Sequence, residues 1–424
     1  MDINESRSNK EPPCINRSRR IKRSSGDYFD NLARVDSDIG LEPGISRSVD
    51  QGSSTYGDVQ SATGSVRVSR NFIIFDTPCN CLHPKDASTM RFKISYDVGP
   101  VGAWFEPGYS IQVARRVEAA GFHAAWFGDH FLPWFHTHAH VPHAWVWLTA
   151  AAAQTRSVPV GSDITVPMFK YHPLIVAQAF ATLERLFPGR VLLGVGTGEA
   201  INEAPFISRW PGWKERAETL AEAVQLMRKY WSETDYFSFE GRYFNVKDVF
   251  CYDKPKRGIP IYWSAFGPKS ARIGGAQADH LMTSGSPEQL KDKVFPQFME
   301  AANSAGKDAA SIEKCVYVDG GYGNLKKLIA KYRVSAGSLI PENFNERDPR
   351  KIEASTAGLT DDYILERTCL FSSPDQFIEL IEKLRKVGMN HFLFGDWGYD
   401  PIRTVEMFRS KILPYYGVRP RKRK

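Results

Sequence analysis

The chain has 424 residues, 42% hydrophobic and 12% aromatic, enough for two or three domains or one large α/β barrel. Its net charge of +7 is concentrated in two terminal blocks, Arg17 to Arg23 and Arg419 to Lys424. The near-neutral body speaks against a specific nucleic-acid partner, and the absence of any apolar run of roughly eighteen residues against a membrane span.

Residues 1–89 are rich in Ser, Arg, Asp, Gly and Asn, with one short apolar run, Phe72 to Phe75. Such a segment buries too little surface to offset its conformational entropy, so a disordered extension is expected, with Met90 as an alternative start. No apolar segment follows the N-terminal arginines, so no secretory signal is read there. Six cysteines (Cys14, Cys79, Cys81, Cys251, Cys315, Cys369) lack metal spacing, and a reduced, cytoplasmic chain is expected.

From Met90 to Tyr416 apolar strands and periodic helices alternate. The strands expected are Phe92–Val98, Ala124–Phe127, Val158–Val166, Val191–Val195, Pro260–Phe266, His280–Ser284, Lys314–Asp319 and His391–Phe394. Helices include Ile111–Ala120, Leu174–Leu186, Glu215–Trp231 and Gln376–Val387. This alternation predicts an α/β fold, a (β/α)8 TIM barrel; the rival doubly wound sheet lacks its Gly-x-Gly-x-x-Gly after the first strand. Two insertions interrupt the rhythm: a hairpin at Phe237–Val246, and residues 334–360, an excursion placed to cover a substrate. Residues 417–424 read as a solvated basic tail.

Polar clusters follow several strands, and in such a barrel those strand ends form the active face. After the second strand comes Gly128-Asp129-His130-Phe131-Leu132-Pro133-Trp134, an acid, a base that titrates near neutrality and aromatic plates. After the fourth comes Gly196-Thr197-Gly198-Glu199-Ala200-Ile201-Asn202-Glu203, where glycines permit close approach to a ligand and a carboxylate follows. Ala265 to Ala271 and Thr283 to Ser286 offer a helix N-terminus and hydroxyls to an anionic group. The bland alternatives are a structural Asp-His pair, an ordinary turn and simple N-caps. His136, His138, His140 and His143 lack a completing ligand set, so no metal is expected. Lys170 and Arg209, with no motif around them, read as surface residues.

Four longer motifs make the chain from Met90 to Tyr416 resemble the deazaflavin branch of the bacterial-luciferase-like barrels, close to the coenzyme F420-dependent glucose-6-phosphate dehydrogenases. They are Gly128 to Trp134, Phe169 to Thr182, Pro188 to Glu203 and Leu226 to Ser232. The resemblance implies a luciferase-like barrel with bound coenzyme F420 rather than FMN, usually a homodimer, moving hydride between a carbinol and the deazaflavin. It places Asp129, Asp163, Val166, Thr197, Gly198, Asn202, Phe266, Gly267, Lys269 and Ser270 around the cofactor. It assigns His130, Glu199 and Trp134 to catalysis, with Glu199 taking a proton and His130 giving one. A non-proline cis peptide is implied at Asp163-Ile164, with Asp163 standing where the family has Ser.

Departures concern the substrate. The family's phosphate grip of Thr, two Lys and one Arg finds Thr283 and Arg367 here. The lysine positions fall on Ser286 and near Asn343, with Arg350 or Lys351 as possible substitutes. Losing two cations removes charge-assisted binding, so weak or no activity on glucose 6-phosphate is expected. The competing readings are a methylenetetrahydromethanopterin reductase-like enzyme and an FMN-dependent luciferase-like monooxygenase.

Overall fold

The computed structural model describes residues 92–421. The expectations for residues 1–91, including the disordered extension, the alternative start and three of the cysteines, lie outside it. Among the described residues eleven strands occur in chain order: β1 Lys93–Asp97, β2 Ala125–Phe127, β3 Val160–Thr165, β4 Val191–Val195, β5 Phe237–Glu240, β6 Asn245–Val249, β7 Ile261–Ser264, β8 His280–Thr283, β9 Lys314–Tyr322, β10 Cys369–Phe371 and β11 His391–Asp396. Eight of these are parallel neighbours in the order β11-β1-β2-β3-β4-β7-β8-β9, and β9 returns to pair with β11. The sheet is therefore a closed (β/α)8 barrel, which disposes of the open doubly wound alternative.

The eight predicted barrel strands are all present: β1, β2, β3, β7 and β8 are shorter than expected, β4 has the expected bounds, and β9 and β11 run on to Tyr322 and Asp396. The strand that sequence reading missed is β10, which pairs only with Gly320–Tyr322, where β9 overhangs the barrel. Predicted at Phe237–Val246, the hairpin is β5 and β6 and runs on to Val249.

Inside the barrel, Ala124, Trp126, Leu192, Tyr262, Met282, Cys315 and Leu393 form one cluster. Trp126 is fully buried and meets Tyr262 edge-on at 5.0 Å. That indole fits because Gly161 stands opposite, where a Cβ would come within 2.6 Å of it. Emptying a site of this kind, as in Trp126→Ala, costs about 3–5 kcal/mol. A larger layer, from Val113 on the first barrel helix to Phe377 and Phe408 near the end, lies between the strands and their helices. The helix Pro374–Lys386 shows how the local sequence fixes an element: Ser373 and Gln376 form a capping box, and Lys383, Arg385 and Lys386 complete the last turn.

The basic tail departs from its reading as solvated. Arg421 donates to the Phe122 carbonyl at 3.0 Å and to Ser157 Oγ at 2.6 Å, so the described part of the tail is docked on the barrel. A buried carbonyl needs a donor, and the arginine supplies it.

The insertion at 334–360 is a chain of short helical turns, including Pro341–Asn345 and Pro349–Ser355. It packs over the strand C-termini. Ile352 lies with Trp134 and Ile201 in one apolar cluster, and Phe344 meets Trp134 edge-on at 5.5 Å. Glu353 receives the backbone N–H groups of His136 and Thr137 at 2.6 and 2.8 Å.

Candidate active site

A cavity of about 280 Å³ opens at the C-terminal ends of the barrel strands. Of the residues singled out from sequence, Asp129, His130, Trp134, Asp163, Val166, Thr197, Gly198, Glu199, Asn202, Phe266, Ser270 and Thr283 line it. Three do not. Gly267 is the buried N-cap of the helix Pro268–Gln277, Lys269 is exposed on that helix's first turn, and Arg367 lies over the Tyr363 ring at 3.9 Å. Arg367 also donates to the Tyr363 carbonyl and to Glu366, both at 3.3 Å, so it is engaged at the helix Asp361–Leu365 and is not on the cavity wall. Arg350 and Lys351, the possible substitutes, pair with Asp348 at 2.7 Å and Glu346 at 3.9 Å. Asn343 donates to the Gly337 carbonyl and to Ser355.

The centre of the site is built around Asn202. Its Oδ1 accepts the backbone N–H groups of Phe131 at 2.9 Å and Leu132 at 3.3 Å, which fixes the amide orientation. Its Nδ2 then lies 3.1 Å from His130 Nδ1 and donates to Glu199 Oε2 at 3.3 Å. One amide thus ties the loop after β2 to the turn after β4 and holds the acid and the base together. The Leu132 carbonyl also lies 3.1 Å from His130 Nδ1. The Asn202 donor and this acceptor call for opposite tautomers, so only one of the two contacts at Nδ1 is a hydrogen bond at a time.

Burial lowers the His130 pKa, and the charge of Lys170 adds to this, against the Leu132 carbonyl and Asp129. The ring is therefore neutral at neutral pH. Burial pushes the Glu199 carboxyl up to about 7, helped by the charge of Glu203. Glu203, fully buried, is itself pushed up to about 7 by burial, against the pull of Lys170. A base poised near neutrality is what proton transfer at that pH requires. Gly198 sits between the two acids with φ at +80°, where a Cβ would come within 2.9 Å of Glu203 Cγ. Only glycine meets both demands.

Lys170 corrects its reading as a surface residue. Its ammonium is 3.0 Å from Asp129 Oδ1, and the two side chains are 5% and 1% exposed. Asp129 also accepts from Thr165 Oγ1 at 2.9 Å and lies 3.5 Å from the Tyr171 hydroxyl. A buried carboxylate needs such partners, and the end of β3 with the turn after it provides all three. The available signal was position: a lysine just past the C-terminal end of a barrel strand. Arg209, by contrast, pairs with Glu215 at the surface as expected.

The cis peptide implied at Asp163-Ile164 is present, at the register shift between β3 and β4. Sequence reasoning gave no site role to Asp97, Tyr317, Asp319 and Trp397, which also line the cavity. Tyr317 donates to Asp97 Oδ2 at 3.0 Å and Trp397 to Asp319 Oδ1 at 2.6 Å. Among the described residues, no cluster of His, Cys, Asp and Glu could hold a metal ion, and no helix is long and apolar enough to cross a membrane.

The profile of the luciferase-like monooxygenase family matches residues 74–391. The chain belongs to that family. Among its relatives, an F420-dependent glucose-6-phosphate dehydrogenase of Mycolicibacterium fortuitum is 37% identical over 317 residues, 73% of this chain and 94% of that protein. Its namesake from Segniliparus rotundus is 36% identical over 320 residues, again 73% and 94%. Among solved structures, an F420-dependent secondary alcohol dehydrogenase in complex with an F420-acetone adduct superposes with a TM-score of 0.72 at 35% identity. It covers 76% of this chain and 98% of its own. The coenzyme F420-dependent tetrahydromethanopterin reductase of Methanopyrus kandleri, at 22% identity and a TM-score of 0.64, shares the luciferase-like fold.

Proposed function

We infer that this chain is a coenzyme F420-dependent oxidoreductase that moves hydride between a carbinol and the deazaflavin. The observation that carries this reading is the Asn202 bridge, which holds a neutral imidazole and a near-neutral carboxyl side by side at the mouth of one cavity. Its named relatives, sugar-phosphate and secondary alcohol dehydrogenases, support the same chemistry.

The lining suits a planar deazaflavin. Phe266 and Trp134 supply aromatic faces, while Thr197 and Gly198 bring main chain to the cavity. Two buried hydroxyls there, Thr283 Oγ1 and Ser284 Oγ, have no hydrogen-bond partner within the protein. Asp129, Asp163, Val166, Thr197, Gly198, Asn202, Phe266 and Ser270 would hold the group, with Gly267 and Lys269 at the helix entrance. When bound, the deazaflavin supplies a ring carbon that accepts or returns hydride. In carbinol oxidation Glu199 takes the hydroxyl proton. His130 would hold the carbinol oxygen through a ring N–H, orienting it without giving up that proton, while Trp134 and Phe344 keep water out. A homodimer in the cytoplasm is part of this proposal, and sedimentation of the purified protein tests the dimer.

No cation of the described residues stands where a phosphate grip would be needed on the cavity wall. Weak or no turnover of glucose 6-phosphate follows. Purified protein loaded with oxidised coenzyme F420 should bleach with a simple secondary alcohol and hardly at all with micromolar glucose 6-phosphate. Saturable turnover of that sugar phosphate would refute this part of the proposal. Bleaching by no carbinol at all would remove the dehydrogenase reading.

A further inference from the structure

The insertion at 334–360 contributes Phe344 to the cavity wall. Its neighbours fix it there. Asn343, the residue before it, is buried and donates to the Gly337 carbonyl at 2.8 Å and to Ser355 Oγ at 2.9 Å, which pins the turn that carries the ring. Ile352 is fully buried in one apolar cluster with Trp134 and Ile201, and Phe344 packs against that cluster. Glu353 accepts the backbone N–H groups of His136 and Thr137 and, at 2.5 Å, the Thr137 hydroxyl. That carboxylate ties the insertion to the loop after β2 two residues past Trp134, the other aromatic of this wall.

What such a wall can recognise is narrow. Phe344 meets Trp134 edge-on at 5.5 Å, and the pair is backed by Ile201, Ile352 and Leu132. This surface rewards contact with carbon and costs a polar group its hydration. It also starts beside the chemistry, because the Leu132 carbonyl lies 3.1 Å from His130 Nδ1. A carbinol with its oxygen between His130 and Glu199 therefore has this wall within reach of its substituent. Since Asn343 and Glu353 pin the insertion, a longer chain must displace a packed ring or stay outside.

We propose that Phe344 determines specificity at this site: it selects carbinols with a short, uncharged alkyl group and sets the chain length at which they cease to fit. This rests on the dehydrogenase reading and adds the substrate class to it, and the two can fail separately. The redox step is unchanged, since Phe344 meets the non-reacting end of the molecule. A pocket that gains or loses room for one methylene discriminates by about tenfold or more, so a single ring is enough to set the limit.

The test uses full-length protein loaded with oxidised coenzyme F420 and four methyl ketones: 2-propanone, 2-butanone, 2-hexanone and 2-octanone. These resemble the product and have no carbinol hydride to give, so calorimetry reads binding without turnover. In the parent, affinity should rise about fourfold from 2-propanone to 2-butanone and then level off or fall. In Phe344→Ala the rise should continue, with 2-hexanone bound about tenfold or more tighter than 2-butanone. Deazaflavin affinity, read by fluorescence quenching, should hold. Phe344→Leu should shift the profile less in the same direction, and it carries the test if the alanine variant fails to fold. A profile that is the same in parent and variants would overturn the proposal. So would a parent whose affinity climbs through 2-octanone, or variants that lose deazaflavin affinity, which would place Phe344 against the cofactor. A shifted profile with no bleaching by 2-propanol, 2-butanol or 2-hexanol would sink the dehydrogenase reading and leave the selectivity of the wall standing.

Discussion

At the N-terminal end of the barrel, Glu313 is surrounded by partners: His391 Nδ1 at 2.8 Å, the Tyr262 hydroxyl at 2.9 Å and the Lys93 ammonium. His391 in turn reaches Ser95 at 2.7 Å. Burial alone would raise the Glu313 carboxyl, yet these partners hold it well below the usual carboxylate range. At the C-terminal end Asp129 keeps the Lys170 ammonium, but for Glu199, Glu203 and Asp97 burial prevails, and they are pushed up to about 7, 7 and 8. The same residue type in the same barrel is thus used to fix the fold at one end and kept ready to change protonation at the other. Satisfied networks rigidify, whereas unsatisfied ones wait for a ligand.

The sharpest way to break this contrast is to exchange single carboxyls at the two ends. Glu199→Gln should cut turnover by about 10²–10⁴-fold with melting temperature and deazaflavin affinity nearly unchanged. Unaltered turnover would remove Glu199 from the chemistry. Glu313→Ala should do the reverse, losing about 3–5 kcal/mol of stability in denaturant titrations while kcat at low temperature persists. Because the folded Glu313 pKa is depressed, its contribution is fully present above the ordinary carboxylate pKa and is lost as pH falls through the depressed value. The variant's stability should therefore fall less on acidification than that of the parent.

Smaller effects sharpen the picture. Lys170→Met leaves Asp129 buried without its cation and should cost about 2 kcal/mol of stability, weakening deazaflavin binding as well. A neutral outcome in both measurements would return Lys170 to the surface role its sequence context suggested. Glu203→Gln removes the charge that helps raise Glu199. Turnover needs ionised Glu199, so kcat/KM should rise with pH through about 7, and the variant should shift that limb to lower pH by less than about one unit. A limb that stays in place, or moves upward, would show the two carboxyls to be uncoupled.

The sequence carried most of the fold because each buried strand reads as a short apolar run that ends in polar residues. β10 escaped because Cys369–Phe371 is three residues long and pairs only with an overhang, so it has no run of its own. Asp129, His130, Glu199 and Asn202 were legible because their motifs are contiguous. Asp97, Asp319 and Lys170 were not, since each stands without a motif, at the end of β1, within β9 and beyond β3, and meets Tyr317, Trp397 and Asp129 only when the barrel closes. Arg367 fails the other way: its position matches a family motif, but its guanidinium lies over the Tyr363 ring and does not line the cavity.

The most direct test of the account is a titration of the purified protein with oxidised coenzyme F420 and, separately, with FMN, followed by a secondary alcohol in the absence of oxygen. Saturable binding of the deazaflavin and its bleaching by the alcohol, lost in Glu199→Gln, is the predicted result. Retention of FMN with turnover that requires oxygen, and no bleaching of coenzyme F420 by any carbinol, would contradict it.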